Sequence, residues 1–272
     1  MRLTARGPLL AAAACFLGFV ALVACAYAIA PVERWDATAL HGLMELDSNS
    51  IGDPLARSAD PLPIALALAA LFAWGWALGR RREAIGALAL VTVANVGGLV
   101  LQIALAHPRF HPILGSNQVG AEAYPSGHAT SAMSIALAAV LVAPARLRVP
   151  VGCGAAAYVI AVSASLLVLG WHFPSDVLGG LLISSGFFFL TVAALRVGAG
   201  RAGAAAQRVG AALSPWLGAA AALLAGAGLV AWSGVGDLLS FAVDNTVATV
   251  AAFAVAAVAA GLVASATLIS DP

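Results

Sequence analysis

Eight stretches of this 272-residue chain run for 17 to 24 residues without one Asp, Glu or Arg, and the chain contains no lysine. They cover residues 8–30, 62–79, 84–106, 127–143, 151–170, 177–195, 215–232 and 246–269. A helix of about 20 apolar residues crosses the roughly 30 Å hydrocarbon layer of a bilayer, with every backbone polar group satisfied inside the helix. Each run therefore reads as a membrane-spanning helix, the fourth and sixth being short. The fold class that follows is an all-α polytopic bundle. Composition points the same way, with 62% hydrophobic and 9% charged residues, where soluble domains carry about 25% charge. An ordinary soluble domain and a disordered chain are both excluded. A formal charge of +1 without a basic stripe leaves no reason to expect a nucleic-acid partner. Cys15, Cys25 and Cys153 lie within apolar runs and imply no disulfide framework.

Arginine placement orients the bundle. With the N-terminus inside, ten of the thirteen arginines (Arg2, Arg6, Arg80, Arg81, Arg82, Arg146, Arg148, Arg196, Arg201 and Arg208) are cytoplasmic, and ten of the twelve acids lie opposite. Both termini are then cytoplasmic in a multi-pass protein of the inner (plasma) membrane. A second reading of the N-terminus is a signal sequence with a lipoprotein-type box at Leu22-Val23-Ala24-Cys25. The long outer segment 32–61 spaces Trp35, Leu40, Leu43, Met44 and Leu46 like one apolar helix face, which predicts a short interfacial helix. The Gly/Ala/Arg-rich stretch 196–214 reads as a linker between a six-span unit, 1–195, and two further spans within 215–272. Those last two spans are nearly free of ionisable groups and form a candidate surface for self-association. Glycine pairs such as Gly97-Gly98 and Gly179-Gly180 read as points of close helix packing.

Ionisable groups are costly in a membrane, so their clustering is informative. His107, His111, His128 and His172 all fall at the outer ends of spans three to five. Span three exits into His107-Pro108-Arg109-Phe110-His111-Pro112, span four begins at Pro125-Ser126-Gly127-His128, and span five exits into Gly170-Trp171-His172-Phe173-Pro174-Ser175-Asp176. Three helix ends thus converge on one outer pocket. With Asp176 four residues on, a carboxylate on Nδ1 leaves the His172 Nε2 as a nucleophile. His128 is placed to protonate a leaving alkoxide and then activate water. Ser126 and Gly127 open a helix whose N-terminus suits an anion, and Arg109 offers a charged fork for phosphate oxygens. Gln102 and His111 complete the candidate substrate contacts. A zinc site from His107, His111 and His172 is disfavoured because Pro108 and Pro112 break the helical i,i+4 geometry. No cofactor is implied.

These residues resemble the type 2 phosphatidic acid phosphatase (PAP2) superfamily, whose pattern is Lys-x6-Arg-Pro, Pro-Ser-Gly-His and Ser-Arg-x5-His-x3-Asp. The resemblance implies a six-helix membrane core, His172 as nucleophile with Asp176 behind it, His128 as acid, and Arg109, Ser126 and Gly127 as phosphate cradle. Its implied activity is metal-independent hydrolysis of a lipid phosphomonoester or diphosphate, polyprenyl or glycerolipid, through a phosphohistidine. Alternatives are a lipid-linked phosphotransferase, or an impaired protein that binds or transports a lipid head. The sequence departs from the pattern where Gln102 stands for lysine, Phe110 for proline and Leu166 for arginine. Two lost charge-assisted bonds are worth about 3 to 6 kcal/mol of phosphate or transition-state binding. Histidines 107 and 111, flanking Arg109, are candidates to replace that charge when protonated, which predicts an acid-shifted optimum.

Overall fold

The computed structural model describes residues 3–46, 52–197 and 235–269, and among them every regular element is helical. In chain order these are α1 (Leu3–Ala28), α2 (Ala30–Leu43), α3 (Gly52–Arg57), α4 (Pro61–Ala77), α5 (Arg81–Ala104), a single 3-10 turn (Pro112–Leu114), α6 (Gly127–Val142), α7 (Ala145–Val168), α8 (Pro174–Val197), α9 (Val235–Asp244) and α10 (Thr246–Ile269). Five helices, α1, α5, α7, α8 and α10, are long and apolar enough to span a membrane, and α4 and α6 are shorter apolar helices. The protein is a multi-pass membrane protein. The expected span 215–232 and most of the expected linker 196–214 lie outside the described residues.

The shortest of the apolar helices is the most enclosed. α6 packs against α4, α5, α7 and α8, and nearly every residue from Ala129 to Val142 is buried. A helix apolar all round and wrapped by neighbours has no lipid-facing length to match, so 16 residues suffice. Close approach of α8 to α6 depends on Gly180, where a Cβ would stand 2.7 Å from the Ser126 carbonyl oxygen and 3.0 Å from the Thr130 nitrogen. α1 lies along α8, with Phe16 edge-on to Phe187 at 5.4 Å. α10 packs back onto α2, α7 and α8, burying Ala248, Ala251, Val255, Ala259 and Val263.

Helix starts differ from the sequence reading at three prolines, and the first is in α1, which starts at Leu3 and carries Pro8 inside it where the expected span begins at that proline. α7 starts at Ala145 and carries Pro150 inside it, where the expected span begins after that proline. α8 starts at Pro174, since proline at the first helical position loses only a donor that has no helical partner. The described parts of segment 32–61 include most of α2 and all of α3, and α2 is more than an interfacial helix. It buries Asp36, Ala37, Leu40 and Leu43, with Ala37 and Leu40 packed in one cluster with Leu114 and Phe173. That contact ties the N-terminal region to the turn that follows His172.

Candidate active site

The turn carrying His172 is shaped by Gly170. α7 ends there with φ at 71°, in the left-handed region that glycine adopts without penalty. A Cβ on Gly170 would lie 2.9 Å from Met44 Sδ, so the α2 end packs directly on this turn. The chain then passes Trp171 and His172 and re-enters helix at Pro174. Within α8, Asp176 Oδ2 reaches back to accept the Phe173 amide at 2.9 Å, the acidic half of a capping box.

On the facing element, Ser126 caps α6, its Oγ accepting the Ala129 amide at 3.3 Å, while its own amide donates to the Asp176 carbonyl at 2.9 Å. The first turns of α6 and α8 are thereby joined. His128, in the first turn of α6, has its ring 6.3 Å from that of His172 and 5.5 Å from that of Trp171. Its Nε2 is 3.0 Å from Asp60 Oδ1, a carboxylate just before α4. Arg57, paired with Asp53 at 2.7 Å, stacks over Trp171 at the same end of the bundle.

Both histidines line a cavity of about 620 Å3 that runs between α4, α5 and α6. Gln102 and Gly127 line its outer part, and Ile64, Leu68, Val91, Val96 and Leu99 continue it along the apolar helices. Gln102 donates from Nε2 to the Pro125 carbonyl at 2.8 Å and approaches Gly127. Deeper in, Asn95 accepts from Ser131 Oγ at 2.6 Å and donates to Ser134 Oγ at 3.1 Å, linking α5 to α6.

The remaining expected contacts stand elsewhere. Arg109 is off the cavity wall, 4% exposed, because two buried carboxylates neutralise it. Its NH2 bonds Asp176 Oδ1, and its NH1 donates to Asp36 Oδ2 and Ser175 Oγ, each at 3.1 Å. The guanidinium lies over the Phe173 ring at 4.0 Å. Ser126 is fully buried as a helix cap. His111 packs on Phe173 with Nε2 3.4 Å from Glu33, and His107 stacks on Tyr27 at 4.8 Å. Neither lines the cavity. Asp176 Oδ2 is 3.8 Å from His172 Nδ1, beyond hydrogen-bond length, and that nitrogen is buried without a partner among the described residues. Of the two lost family cations, Gln102 is on the cavity wall, while Leu166 is fully buried in the hydrophobic core.

Three functional candidates escaped the sequence reading: Asp36, Asp60 and Ser175. Asp36 had a visible signal, a lone acid one turn before Leu40 on the apolar face of a helix. Asp60 was one of several outer acids, and nothing local distinguished it. Among the described residues, no three His, Cys, Asp or Glu side chains are grouped to hold a metal ion.

Residues 83–201 match the PAP2 superfamily. The fold of the chain is similar to the crystal structure described as the first transmembrane PAP2 type phosphatidylglycerolphosphate phosphatase from Bacillus subtilis, with a TM-score of 0.54 and 20% identity, covering 70% of this chain and 98% of that one. No curated protein matches the chain. The matched stretch contains His128, His172, Asp176 and Arg109, and excludes Asp36 and Asp60.

Proposed function

We propose that this PAP2 protein is a membrane phosphatase that hydrolyses a phosphomonoester or diphosphate of a lipid, with its site on the outer face of the plasma membrane. The observation that carries the reading is the pair of imidazoles, His128 and His172, on the wall of one cavity whose far part is apolar. Such a cavity takes a phosphate between two histidines and a hydrocarbon tail between α4, α5 and α6.

The steps follow from the groups present. His172 Nε2 attacks phosphorus, a P–N bond forms, and the P–O bond to the lipid breaks. The leaving oxygen takes a proton from His128, which then accepts a proton from water as that water attacks phosphorus and expels His172. Asp60 Oδ1, 3.0 Å from His128 Nε2, holds that ring in place on the cavity wall. With no arginine among the described residues on the cavity wall, the phosphate charge falls to the histidines and to the open end of α6 at Gly127 and His128.

Phosphate release from a panel of polyprenyl and glycerolipid phosphates, measured for wild type and His172→Ala, tests the activity. A phosphoenzyme that is lost in His172→Ala but accumulates in His128→Ala supports the two roles. A second reading, a lipid-head binder without turnover, draws on the 3.8 Å gap behind His172 and the missing cavity cation. It requires that no member of the panel be hydrolysed while lipid binding persists. If hydrolysis is found with the phosphate delivered to another lipid, the protein is a transferase using the same intermediate.

A further inference from the structure

Asp36 lies outside the matched stretch and off the cavity wall, yet it is 2% exposed and bonded to the machinery behind His172. Its Oδ1 accepts the Ser175 amide at 3.0 Å, and its Oδ2 accepts Ser175 Oγ at 2.5 Å and Arg109 NH1 at 3.1 Å. Ser175 and Asp176 are the second and third residues of α8. Asp36 thus caps α8 from another helix, at the end where the helix dipole favours a negative charge.

Charge counting shows what this adds. Arg109 brings one positive charge, while Asp36 and Asp176 bring two negative charges when both are ionised. A guanidinium held by Asp176 alone is free to pair with both of its oxygens, drawing that carboxylate from His172. Held also by Asp36, Arg109 leaves Asp176 Oδ2 to Phe173 and to the side of His172 Nδ1. One negative charge then remains uncompensated next to the imidazole that becomes positively charged when phosphorylated.

We propose that Asp36 is a positioning residue of this active site: by sharing Arg109 and capping α8 it keeps Asp176 oriented behind His172. The proposal rests on the phosphatase reading above. The charged and titratable groups around Asp36 are Arg109 from the α5–α6 connection and Asp176 from α8, with Tyr27 of α1 beneath the guanidinium. Glu33, one turn earlier on α2, is paired with His111. Burial, reinforced by the charge of Asp176, pushes the Asp36 carboxyl up to about 6, so its negative charge is present above that pH and lost below it.

The test uses the full-length protein in detergent, with dioctanoyl phosphatidic acid and farnesyl diphosphate as substrates. Asp36→Asn keeps the size and removes the charge. Its kcat is expected to fall about 10- to 100-fold, the equivalent of one charge-assisted hydrogen bond, with KM within about twofold. The ratio of wild-type to variant kcat should be largest near pH 8 and shrink towards one near pH 5, where wild-type Asp36 carries its proton. Asp36→Glu, which retains the charge, should keep kcat within about fivefold of wild type, less than the loss of an ionic hydrogen bond would give. An unchanged kcat in Asp36→Asn, a loss that is the same at every pH, or an equal loss in Asp36→Glu overturns the proposal. A wild type that releases no phosphate from either substrate or from the wider panel overturns the phosphatase reading itself, and the role of Asp36 with it.

Discussion

Replacing Arg109 by alanine separates a cation that grips substrate from one that holds the protein together. In the fold, its two terminal nitrogens make three bonds, two of them to carboxylates that are 2% and 0% exposed. Removing it leaves Asp36 and Asp176 close together without their shared counter-charge. Breaking a buried ion pair from one side costs about 3 to 5 kcal/mol, because the surviving charge is stranded. Native proteins are stable by only about 5 to 15 kcal/mol, so a large part of the margin goes. The expected result is a melting temperature in detergent lowered by roughly 10 °C, at about 2 to 4 °C per kcal/mol for a chain of this size. Adding Asp36→Asn to Arg109→Ala removes one stranded charge and should restore about half of the loss or more, a non-additivity characteristic of groups in one network. Thermal unfolding followed by tryptophan fluorescence, with size-exclusion as a check, measures both. A single variant that melts with wild type while its KM rises tenfold or more refutes this account and returns Arg109 to the substrate.

Other outcomes follow from single contacts. Asp60→Asn weakens the support of His128 Nε2 and should lower kcat about tenfold with little change in KM, as read from initial rates of phosphate release. Leu68→Trp places a ring in the apolar part of the cavity; it should raise KM for long-chain substrates and leave hydrolysis of water-soluble p-nitrophenyl phosphate unchanged. Gly180→Ala forces a methyl against the Ser126 carbonyl oxygen and should cost about 1 to 3 kcal/mol in thermal stability, as overpacking does. Gln102→Lys puts a cation on the cavity wall and should tighten inhibition by inorganic phosphate about tenfold, near the value of one charge-assisted bond. Leu166→Arg, by contrast, buries an unpaired charge in the core and should abolish folded protein on size-exclusion.

Much of the bundle was legible because its signal is local. A run free of charge for about 20 residues has one stable solution in a bilayer, and that solution needs no tertiary information. Boundary errors came at Pro8, Pro150 and Pro174, since proline can open a helix or sit inside one, and only the fold reveals which. Convergence of His128 and His172 was legible too, because consecutive antiparallel spans bring alternate connections to one side. What could not be read was the partnership of each side chain. Arg109 stood between two histidines in sequence, and position alone pointed it at phosphate. Its partners, Asp36 and Asp176, come from points 73 and 67 residues away.

From the sequence alone come the membrane-spanning helices, the family motif and the two histidines, all set by patterns within a few dozen residues of chain. The tertiary structure alone decided which charges neutralise one another. Burial raises the cost of any unpaired ion by several kcal/mol, so Arg109 is held by the acids that folding brings to it rather than by the role its motif implies. Folding likewise brings two carboxylates from outside the matched stretch to it, Asp36 to Arg109 and Ser175, and Asp60 to His128.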